Sequence, residues 1–212
     1  MSATAIPRGW SGCGTHSETG RPQDGSRVDN SIRGVHTARM SSALPPKPRI
    51  IGPKVKICIV ASKYNEEYTD ALVDNAIEEL NELVPHARID LIRVPGAFEI
   101  PVAVSAVLER EGPAAVLALG LIMRGATQHG DLVAGAVTNA LMELSLKHTR
   151  PVIHEVVVVD DEKQAYARCI GATLNRGKEA ARAAAAMVDV FQELDRSMPR
   201  ATSNTRSNTR HG

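Results

Sequence analysis

The sequence predicts a three-layer α/β/α domain with a central parallel sheet, and two observations carry that prediction. Four short runs rich in Val, Ile and Leu alternate with segments whose apolar residues recur at helical spacing. Two of the runs are nearly continuous in apolar residues, as expected of strands that helices cover on both faces. Strands separated by helices pair in parallel through right-handed crossovers, which places helix layers on both sides of one sheet.

The predicted strands are short and are bounded by polar or turn-forming residues. They are VKICIV (55–60), ARIDLIRV (87–94), AAVLAL (114–119) and VIHEVVVV (152–159). The second run alternates between apolar and polar residues, whereas the third and fourth are almost entirely apolar. The third and fourth strands are therefore predicted to lie between the helix layers.

The helices are predicted from apolar residues that recur every three or four positions. These residues are Val73, Ile77, Leu80 and Val84; Val133, Val137, Ala140 and Leu144; and Ala180, Ala184, Met187, Phe191 and Leu194. Strands and helices together predict a flavodoxin-like domain. In such a sheet, ligands bind beyond the carboxyl ends of the strands.

The predicted domain occupies residues 50–196 and lies between two polar tails. Residues 1–49 are rich in Gly, Ser and Arg and lack apolar periodicity, so we expect them to be disordered. Their Arg and Ser content also fits an organelle transit peptide, and Met40 offers a second plausible start. Residues 197–212 contain SNTR twice in succession and are predicted to be disordered as well.

The charge and cysteine content exclude several classes of protein. The 25 Lys and Arg nearly balance the 24 Asp and Glu, and a net charge of +1 does not favour nucleic acid or an anionic membrane as partner. The three cysteines are far apart and lack metal-ligand spacing, which favours a reducing, cytoplasmic location over a disulfide scaffold. No apolar stretch of the sequence reaches the length of a membrane span.

Three loops at the predicted strand ends are the candidate binding segments: SKYNEEY (62–68), VPGAFEIP (94–101) and GLIMRGATQHGD (120–131). The second loop has two interpretations. In one, Phe98 stacks on a planar ring while backbone amides bind the edge of a heterocycle. In the other, the loop is a turn whose acid and proline begin a helix.

The third loop carries residue types suited to phosphate chemistry. Gly125 lets backbone approach a ligand, Thr127 offers a hydroxyl, and Asp131 is predicted to head a helix whose free amides suit phosphate. His129 offers an imidazole, the side chain most often used as a proton shuttle, as phosphate loss needs. The alternative is a capped helix start with a solvated histidine, and spacing alone leaves both open.

An ordered set of motifs resembles the lumazine synthase family. VPGAFEIP is followed by a strand ending in R-G-A-T-x-H-x-D, then by P-V-I, and then by R-x(6)-N-[KR]-G before an Ala-rich helix. The resemblance covers about residues 52–195. It implies a transferase of riboflavin biosynthesis that condenses 5-amino-6-(D-ribitylamino)uracil with 3,4-dihydroxy-2-butanone 4-phosphate and releases water and phosphate. It also implies that no metal or organic cofactor is used, and that riboflavin synthase receives the product.

The resemblance assigns roles to individual residues. His129 matches the family's catalytic histidine, and Arg168 matches the arginine that pairs with the substrate phosphate. The pyrimidine and its ribityl chain would be bound by Tyr64, Ala97, Phe98, Glu99 and the main chain of Leu121, Ile122 and Met123, with His154 nearby. The phosphate-bearing ketone would be bound by Ala126, Thr127 and Arg168.

Four positions depart from the family's common pattern. His154 replaces Phe or Trp, Gly130 replaces an aromatic residue, Ala172 replaces Lys, and Tyr64 replaces Phe or Trp. The catalytic histidine and the phosphate arginine remain, so the enzyme prediction stands. The departures favour one alternative, a non-catalytic relative that binds riboflavin or a lumazine. Two further alternatives are a structural shell protein and an FMN or signalling domain, although SKYNEEY lacks the glycine or Ser/Thr cluster that would hold FMN phosphate.

The place of His154 predicts that one chain cannot complete the site. His154 is the third residue of VIHEVVVV, so at about 3.3 Å per residue it lies roughly 16 Å from the strand's far end. The substrate loops lie at the strand ends. The resemblance implies a homopentamer in which a neighbour supplies His154 and Arg168, and pentamers of the family can assemble further into a sixty-subunit icosahedral shell.

Overall fold

The structure, a computed structural model, describes Lys47, residues 54–110 and residues 112–198. In this part of the chain, strands and helices alternate in the order β1 Lys56–Ser62, α1 Glu66–Leu83, β2 Arg88–Val94, α2 Ile100–Arg110, β3 Ala115–Met123, α3 His129–His148, β4 Val152–Val159, α4 Glu162–Cys169 and α5 Arg176–Ser197. A 3-10 turn at Ala97–Glu99 leads directly into α2. The predicted disorder of 1–49 and 197–212 falls outside the described residues, where it stays a prediction, except at Lys47, Ser197 and Met198. At Ser197 the prediction is wrong, because α5 extends to this residue.

The four strands form one parallel sheet in the order β2-β1-β3-β4. The central strand β3 is the most buried element and is longer than the predicted run 114–119. It continues to Met123 because its last residues still pair with β4, from Gly120 opposite Val156 to Met123 opposite Val159. The extension carries the start of the third loop to the carboxyl end of the sheet, where a ligand can reach the backbone.

Helices cover both faces of the sheet, as the alternating direction of strand side chains requires. On one face, α1 and α5 pack against the strands through a core that includes Ile57, Ile59, Leu80, Leu117, Leu119 and Ala184. On the other face, α2 and α3 pack through a core that includes Cys58, Val60, Val104, Val116, Ala118 and Val137. The predicted three-layer α/β/α architecture is confirmed.

The outer strands β2 and β4 are less buried than the central pair. Leu91 and Ile92 of β2 are exposed, and the first half of β4 is only half-buried. The prediction that β4 is covered on both faces therefore holds only for its second half in a single chain. The physical reason is that β4 is an edge strand. None of the helices in the described ranges is long and apolar enough to cross a membrane.

The N-R-G sequence that begins α5 is a packing motif. The Asn175 side chain caps the helix, because its Oδ1 accepts the backbone N–H of Lys178 at 3.0 Å. Gly177 lies against α1, where an added Cβ would be only 2.4 Å from the carbonyl oxygen of Leu72. These two motif residues therefore fix how α5 meets the rest of the domain, and Arg176 between them pairs with Glu179 at 2.6 Å.

Candidate active site

A cavity of about 730 Å³ opens at the carboxyl ends of β1, β2 and β3, where the flavodoxin-like topology predicts ligand binding. All three predicted loops contribute to its wall. Among the predicted site residues, the wall includes Tyr64, Ala97, Phe98, Glu99, Leu121, Ile122, Met123, Thr127 and His129. Residues far apart in the sequence are thus brought to one place by the strand order.

The loop between β1 and α1 is tied to both neighbouring strand ends. The backbone N–H of Tyr64 donates to the carbonyl of Pro95 at 3.1 Å, and the Asn65 side chain donates to the carbonyl of Leu121 at 3.0 Å. Asn65 adopts the left-handed conformation, with φ of 60°, which asparagine tolerates better than most residues. Sequence reasoning missed Asn65, although an asparagine between a strand and a helix is a recognisable signal.

The loop between β2 and α2 presents an aromatic ring to the cavity. Phe98 is 62% exposed and Tyr64 is 71% exposed, so both rings are available to a planar ligand. The Tyr64 ring packs over Gly96, where a Cβ would lie 2.9 Å from Tyr64 Cδ2. Glu99 accepts the backbone N–H of Gly96 at 2.9 Å and so fixes the turn. The loop therefore begins a helix and also exposes an aromatic ring, as the two interpretations separately required.

The loop between β3 and α3 brings a helix N-terminus to the cavity. The prediction that Asp131 heads this helix is wrong by two residues, because α3 begins at His129 and Asp131 is held in its first turn by Arg124. Among the described residues, Gln128 makes no side-chain hydrogen bond that caps the helix. The first-turn amides are therefore left for water or an anion. Thr127 and His129 are exposed beside them.

Three of the predicted residues lie outside the cavity wall. Ala126 is exposed in the same loop as Thr127 but does not line the cavity. His154 pairs in register with Ala118, three residues before Leu121, which is roughly 10 Å back along the strand. Arg168 lies on α4, where its Nη1 donates to the carbonyl of Gln164 at 3.5 Å. The single chain thus gathers most of the predicted site but not His154 or Arg168.

His154 is held by its own chain in one tautomer. Burial lowers its pKa, which favours the neutral ring. Its Nδ1 accepts the backbone N–H of Val156 at 3.3 Å, so the ring proton of the neutral form lies on Nε2, 2.8 Å from Thr138 Oγ1. Thr138 donates in turn to the carbonyl of Ala134 at 2.8 Å. Sequence reasoning missed Thr138, because nothing in the sequence pairs α3 with β4 at this position.

The remaining departures have local consequences only. Gly130 lines the cavity, but a Cβ there would be 3.4 Å from Ile122 Cγ2, an ordinary contact, so the fold does not require glycine. Ala172 is exposed in the connection between α4 and α5. In the described ranges, no three His, Cys, Asp or Glu side chains cluster closely enough to hold a metal ion.

Comparison with known proteins identifies the family. The sequence model described as 6,7-dimethyl-8-ribityllumazine synthase matches residues 54–192, which includes the cavity, His154 and Arg168. The chain belongs to this family. The predicted family, its enzyme class and its place in riboflavin biosynthesis are therefore confirmed, and an FMN or signalling domain of another family is excluded.

Individual relatives align with this chain over most of their length. A 6,7-dimethyl-8-ribityllumazine synthase of Methylobacterium radiotolerans is 35% identical over 166 residues, which covers 78% of this chain and 99% of the relative. A relative of the same description from Gemmatimonas aurantiaca is 40% identical over 145 residues, covering 68% of this chain and 87% of its own. A third, from Bdellovibrio bacteriovorus, is 38% identical over 145 residues, covering 68% and 80%.

Proposed function

We propose that this chain condenses 5-amino-6-(D-ribitylamino)uracil with 3,4-dihydroxy-2-butanone 4-phosphate to form 6,7-dimethyl-8-ribityllumazine. One observation carries the proposal. A single cavity combines two exposed aromatic rings with an uncapped helix N-terminus and a histidine at its first position. The rings suit a pyrimidine, and the helix N-terminus suits a phosphate.

The pyrimidine binds between Tyr64 and Phe98, with Ala97 and Glu99 beside its ribityl chain. The main chain of Leu121, Ile122 and Met123 meets the ring edge. The Leu121 carbonyl already accepts the Asn65 amide at 3.0 Å, and its second lone pair remains for the substrate. A fixed carbonyl is a selective acceptor because it cannot rotate to suit a wrong ligand.

The ketone phosphate binds at the start of α3. Ala126 and Thr127 contact the ketone, and the first-turn amides together with the helix dipole stabilise the phosphate. Arg168 supplies a planar guanidinium that can engage the phosphate with two parallel hydrogen bonds. Because Arg168 of the same chain lies outside the cavity wall, the arginine at each site comes from a neighbouring chain.

The reaction needs proton transfers and a stabilised leaving group. The primary 5-amino group forms an imine with the ketone carbonyl and releases one water. Loss of the proton from the hydroxyl-bearing carbon beside the imine accompanies departure of the phosphate and leaves an enol. The terminal carbon of the enol takes up a proton while its hydroxyl loses one, which gives a methyl ketone. The ribityl-bearing nitrogen then attacks this new carbonyl and closes the ring with loss of a second water. His129 moves the protons, while the α3 amides and the arginine stabilise the leaving phosphate.

The site requires a homo-oligomer, which we propose is a pentamer. Three features of the chain support this. His154 and Arg168 lie outside the cavity, the first half of β4 is an uncovered edge, and α3 exposes Leu132, Met142 and Leu146 along its outer face. A sixty-subunit shell is the larger assembly to test. Light scattering or electron microscopy of the full chain distinguishes a pentamer, a shell and a monomer.

We also propose that the enzyme works in the cytoplasm and that riboflavin synthase takes its product. The reducing cytoplasm suits the buried, free thiols of Cys58 and Cys169. Burial raises the pKa of Cys58 to about 11 and that of Cys169 to about 12, so neither thiol is an effective nucleophile at neutral pH.

The direct test is to incubate the purified full chain with both substrates and to follow lumazine absorbance, lumazine fluorescence and released phosphate. We expect all three signals to rise together. Tight binding of riboflavin or lumazine without turnover would instead support the non-catalytic relative. Arg168→Ala is expected to raise KM for the ketone phosphate much more than KM for the pyrimidine. Equal increases would contradict the phosphate role of Arg168.

A further inference from the structure

We propose that Arg124 is the positioning residue of the phosphate-binding loop, residues 125–128, and that it acts through Asp131 and Asp160 without touching the phosphate. The proposal rests on the proposed function, which makes this loop a phosphate site. Arg124 stands directly before Gly125, where a guanidinium in a Gly-Thr loop would ordinarily be taken as a phosphate ligand.

Arg124 holds the loop at both of its ends. Its Nε donates to Asp131 Oδ1 at 2.7 Å, in the first turn of α3. Its Nη1 donates to Asp160 Oδ1 at 2.9 Å, directly after β4. Its backbone N–H donates to the carbonyl of Val159 at 2.8 Å. Arg124 therefore fixes the start of α3 to the ends of β3 and β4. The distance that the four loop residues must span, from the end of β3 to the start of α3, is then fixed as well.

The same contacts keep the guanidinium away from a phosphate. Arg124 is not part of the cavity wall that Gly125, Thr127 and His129 form. The hydrogen bonds that Arg124 donates to the two carboxylates raise its pKa, and the one to Asp160 holds the pKa of Asp160 below its usual range. Arg124 and Asp160 are therefore both charged at neutral pH. A phosphate approaching Arg124 would meet two carboxylates as well as one cation.

The anchor continues to the helix that carries Arg168. Asp160 Oδ2 accepts the Gln164 side-chain amide at 3.2 Å, and the backbone N–H of Asp160 donates to Gln164 Oε1 at 3.3 Å. The carbonyl of Gln164 in turn accepts Arg168 Nη1 at 3.5 Å. Asp160 thus connects the phosphate-binding loop to Arg168, which we propose binds phosphate in the site of a neighbouring chain.

These ion pairs act on loop geometry more than on global stability. The Arg124 side chain is 46% exposed, and its partners are more exposed still. Exposed ion pairs contribute little to folding. Loss of the contacts should therefore leave the melting temperature nearly unchanged while the loop samples other arrangements, and small errors in position are costly for substrate binding and turnover.

The experiment compares Arg124→Ala, Asp160→Asn and the double variant of the full chain. The readouts are KM for each substrate and the affinity for inorganic phosphate measured by calorimetry. Arg88→Ala is the matched control, because Arg88 forms an exposed ion pair with Asp90 at the other end of the sheet. We expect Arg124→Ala to raise KM for the ketone phosphate on the order of tenfold and to leave KM for the pyrimidine within about twofold.

Asp160→Asn gives the decisive result. If Arg124 positions the loop, Asp160→Asn weakens inorganic phosphate binding in the same direction as Arg124→Ala, and the double variant is no worse than Arg124→Ala alone. If Arg124 is instead a phosphate ligand, Asp160→Asn removes a competing carboxylate and tightens phosphate binding. Tighter or unchanged phosphate binding in Asp160→Asn overturns the proposal. Absence of lumazine formation by the unaltered chain contradicts the proposed function, whereas calorimetry with phosphate still tests Arg124.

Discussion

Two motif segments of this chain contain a glycine beside a basic residue, and the fold uses them in opposite ways. In N-R-G at the start of α5, a Cβ on Gly177 would lie 2.4 Å from a backbone oxygen of α1. In R-G-A-T between β3 and α3, nothing within 4 Å meets a Cβ on Gly125. Gly177 is closed in by packing, while Gly125 faces open space at the cavity.

The difference shows how to separate structural from functional motif residues. The motif residues that serve packing are buried or closely contacted, as Asn175 and Gly177 are. The motif residues to which we assign chemistry, Thr127 and His129, are instead exposed. Substitutions in the first segment should therefore reduce stability, and substitutions in the second should reduce activity.

The glycine pair gives the largest expected contrast in stability. Gly177→Ala should lower the free energy of unfolding by about 3 kcal/mol, because the helix must move away from α1 to admit a methyl group. Gly125→Ala should change that free energy by less than about 0.5 kcal/mol. Urea denaturation of both variants measures the contrast. Equal losses would show that burial does not separate the two motifs.

His129→Ala should show the reverse pattern, with activity reduced and stability kept. We expect kcat to fall by about a hundredfold or less, the low end for a general acid or base, because positioning of two reactive substrates supplies much of the acceleration. His86→Ala is the matched control, since His86 is an exposed histidine at the amino end of β2. Steady-state kinetics with thermal melts would contradict the assignment if both variants lost activity equally.

Glu155, which follows His154 on β4, should make the free energy of unfolding depend on pH. Burial raises its pKa to about 7, while Arg176 lowers it and Glu179 raises it. The folded state then binds more protons than the unfolded state between about pH 4.5 and 7, so stability falls as pH rises through that window. Glu155→Gln should remove a fall of about 2 kcal/mol. Urea denaturation at pH 5 and pH 8 tests this, with Glu109→Gln as an exposed control; parallel losses in all three proteins would contradict it.

Removal of residues 1–39 should have the smallest effect. The family match begins at residue 54, and a chain that starts at Met40 keeps Lys47, which pairs with Glu79. We expect its melting temperature and specific activity to equal those of the full chain. A shorter chain that is insoluble or inactive would show that the segment belongs to the functional domain.

The sequence predicted the elements better than the contacts between them. The run 152–159 is β4 from end to end, because apolar runs directly reflect burial. The start of α3 was placed two residues late. The ion pair between Arg124 and Asp131 was not predicted, because it joins side chains on opposite sides of the loop between β3 and α3. Asn65 and Thr138 were missed for the same reason, since each has its partner on a distant element. The sequence also could not show which residues of the motif R-x(6)-N-[KR]-G serve packing, because the contact between Gly177 and α1 is long-range.

The central claim is that neighbouring chains share each site, and subunit mixing tests it most directly. His129→Ala and Arg168→Ala chains are denatured together, refolded, and verified as mixed oligomers before lumazine formation is measured. In a shared site, some pairs of neighbours contribute an intact His129 and an intact Arg168, so activity should exceed that of either parent. Verified mixed oligomers with no recovered activity, or full activity from a stable monomer, would show instead that the whole site lies within one chain.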